Sequence, residues 1–164
     1  MGIRFIQSEL ALAASAHSSP LVAVEGGPRH GVLAPQDGLK VAVPVLGDYR
    51  LELLTDTGPA SEPFGAMMLV AFDVPEDRAD EVARWYDEEH IMLLMRADGW
   101  LRARRFNVLN YTGKRWTSLA FHELRDVGVM DSKERAIARS TPWRAQLEHE
   151  SWFAGAGRWV YLPG

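Results

Sequence analysis

Cysteine is absent from the 164 residues. That excludes a disulfide framework, a thiol nucleophile and any cysteine-based zinc or iron–sulfur centre. It suits a reducing cytoplasm, which is the expected location. Long apolar runs are absent too: no stretch of 18 apolar residues occurs, so no membrane-spanning helix is expected. An excess of positive charge is also lacking. With 18 Lys+Arg against 22 Asp+Glu the net charge is −4, which gives no electrostatic reason to bind nucleic acid or an anionic membrane. Ala14-Ser15-Ala16 has the look of a small-residue cleavage site, but Gln7, Ser8 and Glu9 interrupt the apolar segment that a secretory signal needs, so none is expected. No G-x-G-x-x-G, G-x-x-x-x-G-K-[ST] or G-x-S-x-G occurs, and Glu88-Glu89-His90 lacks the second histidine of a zincin. Neither a metal site nor an organic cofactor is expected.

What is present is unevenly spread. All six tryptophans lie between Trp85 and Trp159. Residues 1–62 carry 4 basic and 7 acidic side chains, residues 63–164 carry 14 and 15. Thr57-Gly58-Pro59-Ala60-Ser61-Glu62-Pro63 reads as a linker. The expected organisation is an N-terminal appendage over 1–62, linker included, and a core domain over 63–164. In the appendage, residues 4–16 suit one short helix. Leu21–Glu25, Gly31–Ala34, Lys40–Leu46 and Tyr49–Thr55 suit short strands, punctuated by turns such as Pro35-Gln36-Asp37-Gly38.

The core reads more sharply. Ala66–Val74 is almost wholly apolar, the mark of a strand buried on both faces. A helix follows over 76–95, stopped by Asp98-Gly99. Strands are expected over 100–109 and 115–124, with a turn at Asn110-Tyr111-Thr112-Gly113. Asp131 with Glu134 makes a capping box for a helix over 132–139, and Thr141-Pro142 starts a helix to about 149. A strand over 158–162 closes the series. The order β-α-β-β-α-(α)-β is the ferredoxin-like arrangement: an α+β fold with a four-stranded antiparallel sheet and helices on one face. The other face holds too many apolar side chains to stay wet. A homodimer pressing two open faces together around a cavity is the expected solution.

Candidate chemistry sits on three elements. Helical spacing aligns Ala79, Ala83, Tyr86, His90 and Leu93, with Glu89 on the neighbouring stripe, so His90 or Glu89 shares the buried face. His90 either caps a helix end or faces a cavity. On the strand 115–124, Leu119 and Phe121 are large and expected against the helices. Ser118, Ala120 and His122 then line the open face, where His122 titrates near neutral pH in a cavity or bonds within a dimer seam. On the strand 100–109, Trp100, Arg102 and Arg104 share a face. An arginine there holds a substrate oxyanion, or else pairs with an acid at a sheet edge.

Trp85-Tyr86-Asp87-Glu88-Glu89-His90-Ile91, Gly99–Phe106, Leu119–Leu124 and Ser140-Thr141-Pro142-Trp143 together resemble the EthD-type branch of the dimeric α+β barrel superfamily. The W-Y-x-x-E-H element is the most specific. Met92 stands where that branch usually has proline. The resemblance implies a ferredoxin-like dimer with a lumen for a small, mostly apolar ligand. The reading that follows is a cofactor-independent lyase or isomerase acting on a small aromatic or unsaturated carbonyl compound. His122 or His90 moves the proton, Tyr86 or an arginine steadies the oxyanion, and Arg102, Arg104, Glu89, Trp100 and Ser118 contact substrate. Two alternatives stand beside it: a non-catalytic protein that binds a small hydrophobic ligand, and a haem-binding barrel with His122 or His90 as axial ligand.

Overall fold

The computed structural model describes residues 2–13, 15–37 and 39–164. Ala14 of the cleavage-like triplet and Gly38 of the Pro35–Gly38 turn lie outside them. Eight strands are present: β1 (Ile3–Ser8), β2 (Ser19–Glu25), β3 (His30–Pro35), β4 (Gly47–Asp56), β5 (Ala66–Phe72), β6 (Trp100–Thr112), β7 (Ser118–Leu124) and β8 (Gly157–Pro163). They close into one barrel in the order β1-β3-β2-β8-β5-β7-β6-β4, every described pair antiparallel.

Half of that ring, β8-β5-β7-β6, is the expected ferredoxin-like sheet. The other half is built from the N-terminal strands. β2 pairs with β8 and β4 pairs with β6, so residues 1–62 are no appendage: they supply the second sheet. The open face that called for a homodimer is covered by the chain's own β1–β4. No second copy is needed to bury it.

The barrel interior is packed, not hollow. Phe5, Tyr49, Phe106, Phe121 and Tyr161 meet there with Trp116 and Trp159. Phe5 and Phe121 contact edge to face with ring centroids 5.1 Å apart. Inward side chains of an eight-stranded barrel are just enough to fill it. Even the polar Gln7 and Tyr161 inside satisfy each other, the amide donating to the phenol oxygen at 3.0 Å.

Helices cover the outer face of β5–β8. Arg78 leads into α1 (Ala79–Trp85), a π turn over Tyr86–His90 and α2 (Ile91–Leu94). After β7 come α3 (Lys133–Ala138), α4 (Pro142–Glu148) and α5 (Ser151–Ala154). Thr141 caps α4 as expected, its hydroxyl accepting from the Arg144 N–H. For α3 the cap is Ser132 rather than Asp131. In β5, Phe72 packs under the helices while Met67 and Leu69 enter the barrel, so the strand is buried on both faces.

Three expectations differ. Of the residues assigned to a helix over 4–16, Arg4–Ser8 belong to β1, and the described residues from Glu9 to Ala16 form neither helix nor strand. Lys40–Leu46 is irregular, and Leu39 beside it packs on Ile6, Val32 and Ala34 outside the barrel. On β7 the two faces are exchanged: Leu119 and Phe121 fill the barrel, while Ala120 lies under the helices.

Candidate active site

Exchanging those faces moves His122 under the helices. There it meets His90 and Tyr86 at one small cavity, of about 30 Å³, between the sheet and the helices. Met68, Val70 and Phe72 of β5 form its floor, and Trp85 and Phe153 are among its walls. That volume holds a water or two. A larger ligand enters only by displacing side chains at the rim.

The π turn positions two of these groups. Its wide turn brings Tyr86 edge to face against His90, with both side chains buried and ring centroids 5.8 Å apart. Insertions of this kind concentrate at functional sites. His90 also lies flat against Trp85, centroids 4.4 Å apart at 23°. Burial drives the His90 pKa down to about 3, helped by His122 and Arg144, while a hydrogen bond with the Ala138 backbone pushes the other way. His90 Nδ1 is buried without a hydrogen-bond partner. That nitrogen is left with unused hydrogen-bonding capacity.

His122 is fixed in the opposite sense. Trp100 Nε1–H donates to its Nδ1 at 3.2 Å. An indole nitrogen only donates, so His122 Nδ1 is unprotonated and the ring proton sits on Nε2. Burial lowers the His122 pKa to about 3, with Arg135 adding to it. The sequence-based expectation that His122 titrates near neutral pH is thus corrected: desolvation holds both imidazoles neutral. Burial likewise pushes the Tyr86 hydroxyl up to about 12, so it stays protonated. One imidazole has an unpartnered Nδ1 and the other a protonated Nε2, next to a neutral phenol.

The remaining expected contacts disperse. Trp100 acts through His122 and does not line the cavity. Glu89 turns away and accepts from the Thr141 hydroxyl at 2.8 Å, tying the π turn to α4. Arg102 is held by Asp56 through two bonds of 2.9 and 2.6 Å. Arg104 points into the barrel and pairs with Glu123 at 2.8 Å. Both arginines are thus paired with acids, Arg104 inside the barrel. Ser118 lines a separate cleft of about 530 Å³ with Arg105, Asn107 and Thr117. That cleft is larger, but its only proton-transfer groups are the acids Glu76 and Asp80, so the chemistry points to the imidazole cavity.

Four arginines went unremarked in the sequence: Arg135, Arg139, Arg144 and Arg158 all reach the same cavity. The four-residue spacing of Arg135 and Arg139 on one short helix face was the available signal. Among the described residues no group of three or more His, Cys, Asp or Glu stands ready to hold a metal ion. No helix is long and apolar enough to cross a membrane.

No protein-family model and no curated protein matches the chain. Solved structures do. An anthrone oxidase-like protein superposes with a TM-score of 0.66 at 7% identity, over 99% of this chain and 90% of that one. A heme-degrading enzyme from Listeria monocytogenes gives 0.61 at 7% identity over the whole of both chains. An uncharacterized ferredoxin fold protein from Listeria monocytogenes, related to antibiotic biosynthesis monooxygenases, gives 0.61 at 10% identity, over 100% and 95%. The chain shares their fold. At such identities the likeness speaks of architecture, and it spans β1–β4 as fully as the rest. The expectation of an enzyme agrees with these neighbours' names. The expectation of a cofactor-independent lyase or isomerase is overturned by them: they are named for monooxygenase, anthrone oxidase and heme degradation.

Proposed function

We propose that the protein is an oxygen-using enzyme of the monooxygenase type, acting on a small electron-rich aromatic compound in the imidazole cavity. The observation that carries this reading is the pair of neutral histidines on one aromatic-walled cavity, His122 oriented by Trp100 and His90 with an unpartnered Nδ1. The fold shared with monooxygenase-related proteins supports it. So does the position of Tyr86 and His90, within the W-Y-x-x-E-H element that resembles the EthD-type branch, on the cavity wall.

The chemistry balances without an added reductant. An activated methylene and molecular oxygen give a ketone and water, R₂CH₂ + O₂ → R₂CO + H₂O. His90 Nδ1 takes the methylene proton, and His122 Nε2–H donates to the oxygen on which the negative charge gathers. The electron-rich carbanion reduces oxygen and forms the C–O bond as a peroxide anion. Proton return from His90 and loss of water, with cleavage of the O–O bond, leave the carbonyl. A base with a free-state pKa near 3 holds a proton only while that anion is beside it, so the pair discharges together.

The test is oxygen uptake with anthrone, a naphthol and a hydroquinone. Uptake matched to product, lowered roughly 10²- to 10⁴-fold in His90→Gln, is the expected result. No uptake with any of the three, or rates indifferent to His90→Gln and His122→Gln, would refute it.

Haem fits less well. Neutral imidazoles are suitable iron ligands, and one neighbour is named a heme-degrading enzyme. But haem is far larger than the aromatic compounds proposed here, so seating it in a cavity of about 30 Å³ demands a correspondingly greater displacement of side chains. His122 Nδ1 is already taken by Trp100.

A further inference from the structure

The rim of the cavity is built of positive charge. Arg135, Arg139, Arg144 and Arg158 converge there. Arg144 is buried, and Glu148 accepts from its Nε at 2.8 Å. Arg135 is half-buried and donates to the Met130 carbonyl at 2.9 Å. Arg139 and Arg158 stand exposed. Among the described residues no carboxylate lies within ion-pair distance of Arg135, Arg139 or Arg158. The acids that act on the ring at all are Glu148 on Arg144 and, from farther off, Asp131 on Arg135.

These guanidiniums oppose one another. Burial lowers the Arg135 pKa first, and Arg139, Arg144 and Arg158 each lower it further. Arg139 and Arg158 do the same to Arg144. Such crowding costs free energy, and in a chain of net charge −4 overall composition does not explain it. Behind the ring the walls are Trp85, Tyr86 and Phe153, and the His90 Nδ1 is unpartnered. Cationic forks in front of an aromatic slot match a planar anion on an aromatic body.

We propose that the substrate is an aromatic carboxylic acid, its carboxylate held by this arginine ring and its rings seated toward Trp85. This deepens, and rests on, the reading of the cavity as an active site. Arg139 and Arg158, both exposed, are the part of the ring that a ligand entering from solvent meets first.

The experiment compares anthraquinone-2-carboxylate with its carboxamide, by calorimetry at two salt concentrations, on the wild type and on Arg139→Gln and Arg158→Gln. The carboxylate is expected to bind at least tenfold tighter than the amide and to weaken as salt rises. Each substitution should weaken the acid about fivefold and move the amide far less. Equal binding of acid and amide, no binding of either, or variants indifferent to the acid would overturn the proposal. So would inorganic phosphate binding as tightly as the acid, since the aromatic body would then contribute nothing. Oxygen uptake separates the two readings. If neutral anthrone is oxidised but the acid binds no tighter than its amide, the carboxylate assignment falls and the oxygenase reading stands. If the acid binds as described but no electron-rich aromatic acid is oxidised, the assignment stands and the oxygenase reading falls.

Discussion

Between pH 5.5 and pH 4.5 His90 and His122 are charged in the unfolded chain but stay neutral in the folded one. Each has an ordinary value of 6.5 and a folded value of about 3, both lowered chiefly by burial. The sign follows from where the protons bind. Below pH 6.5 the unfolded chain takes up protons that the folded protein excludes, so stability is full above that value and is lost as pH falls toward 3. Per histidine the loss is ~1.4 kcal/mol at pH 5.5 and ~2.7 kcal/mol at pH 4.5. Between the two the pair loses ~2.6 kcal/mol, a readable fraction of the 5–15 kcal/mol typical of a folded domain. The assay is urea unfolding, followed by tryptophan fluorescence, of the wild type and of His90→Gln/His122→Gln at both pH values. Carboxylates and the other histidines titrate alike in both proteins and cancel in the difference. The double variant should lose about 2.6 kcal/mol less than the wild type over that interval. Parallel losses would mean that the imidazoles are hydrated or already charged in the folded state, and the cavity chemistry argued from their neutrality would fail.

Further outcomes follow from the packing. Phe121→Ala, deep in the filled barrel, should lower stability by about 3–5 kcal/mol in urea unfolding; a cost under about 1 kcal/mol would point to a hollow interior. Glu123→Gln strands the half-buried Arg104 and should cost roughly 3 kcal/mol, whereas Arg104→Met with Glu123→Leu should restore most of it, a comparison that a urea series on both variants decides. Trp100→Phe deletes the donor that fixes His122. Imidazole ¹⁵N shifts should report a pure Nε2–H tautomer in the wild type and a mixture in the variant, and a wild-type Nδ1–H signal would contradict the assigned roles.

How legible these features were depends on how local their causes are. Thr141-Pro142 and the apolar run of β5 carry their signals within a few residues, and both stand as read. The strand β1 does not. Ile3–Ser8 is held by Leu33 opposite Phe5 on one side and Tyr49 on the other, partners far along the chain, while Gln7–Leu12 nearby tolerates helical spacing. Lys40–Leu46 alternates like a strand, but Pro44 has no N–H to give, and its carbonyl accepts from the Ser8 hydroxyl instead. The exchanged faces of β7 show a subtler limit. With both faces buried, alternation says that two sets exist but not which side each takes. Size was read as packing against helices. In the closed barrel it is the interior that must be filled by bulk such as Leu119 and Phe121, while close helices demand small Ala120 and leave His122 its niche.

That inversion also relocates function. A ferredoxin-like sheet with one bare face invites a second subunit and a lumen between them. Here β1–β4 take the partner's place, and Phe5, Tyr49 and Tyr161 occupy the space a lumen would need. A site lined by inward-facing residues would therefore be Arg104 and Glu123, already spent on each other. Among the described residues the buried side-chain polar atoms without a partner are spread over the fold: Arg104 Nε, Arg105 Nε and Ser118 Oγ (the last two at the separate cleft), Trp152 Nε1, and Trp85 Nε1 and His90 Nδ1 at the imidazole cavity. The imidazole cavity differs in what stands around its unpartnered atoms: His122 oriented by Trp100, and Arg135, Arg139 and Arg158 with no carboxylate at ion-pair distance among the described residues. Unsatisfied polar groups are expensive to bury, and that combination of imidazoles and unpaired cations on the helix-covered surface is what a binding event has to explain.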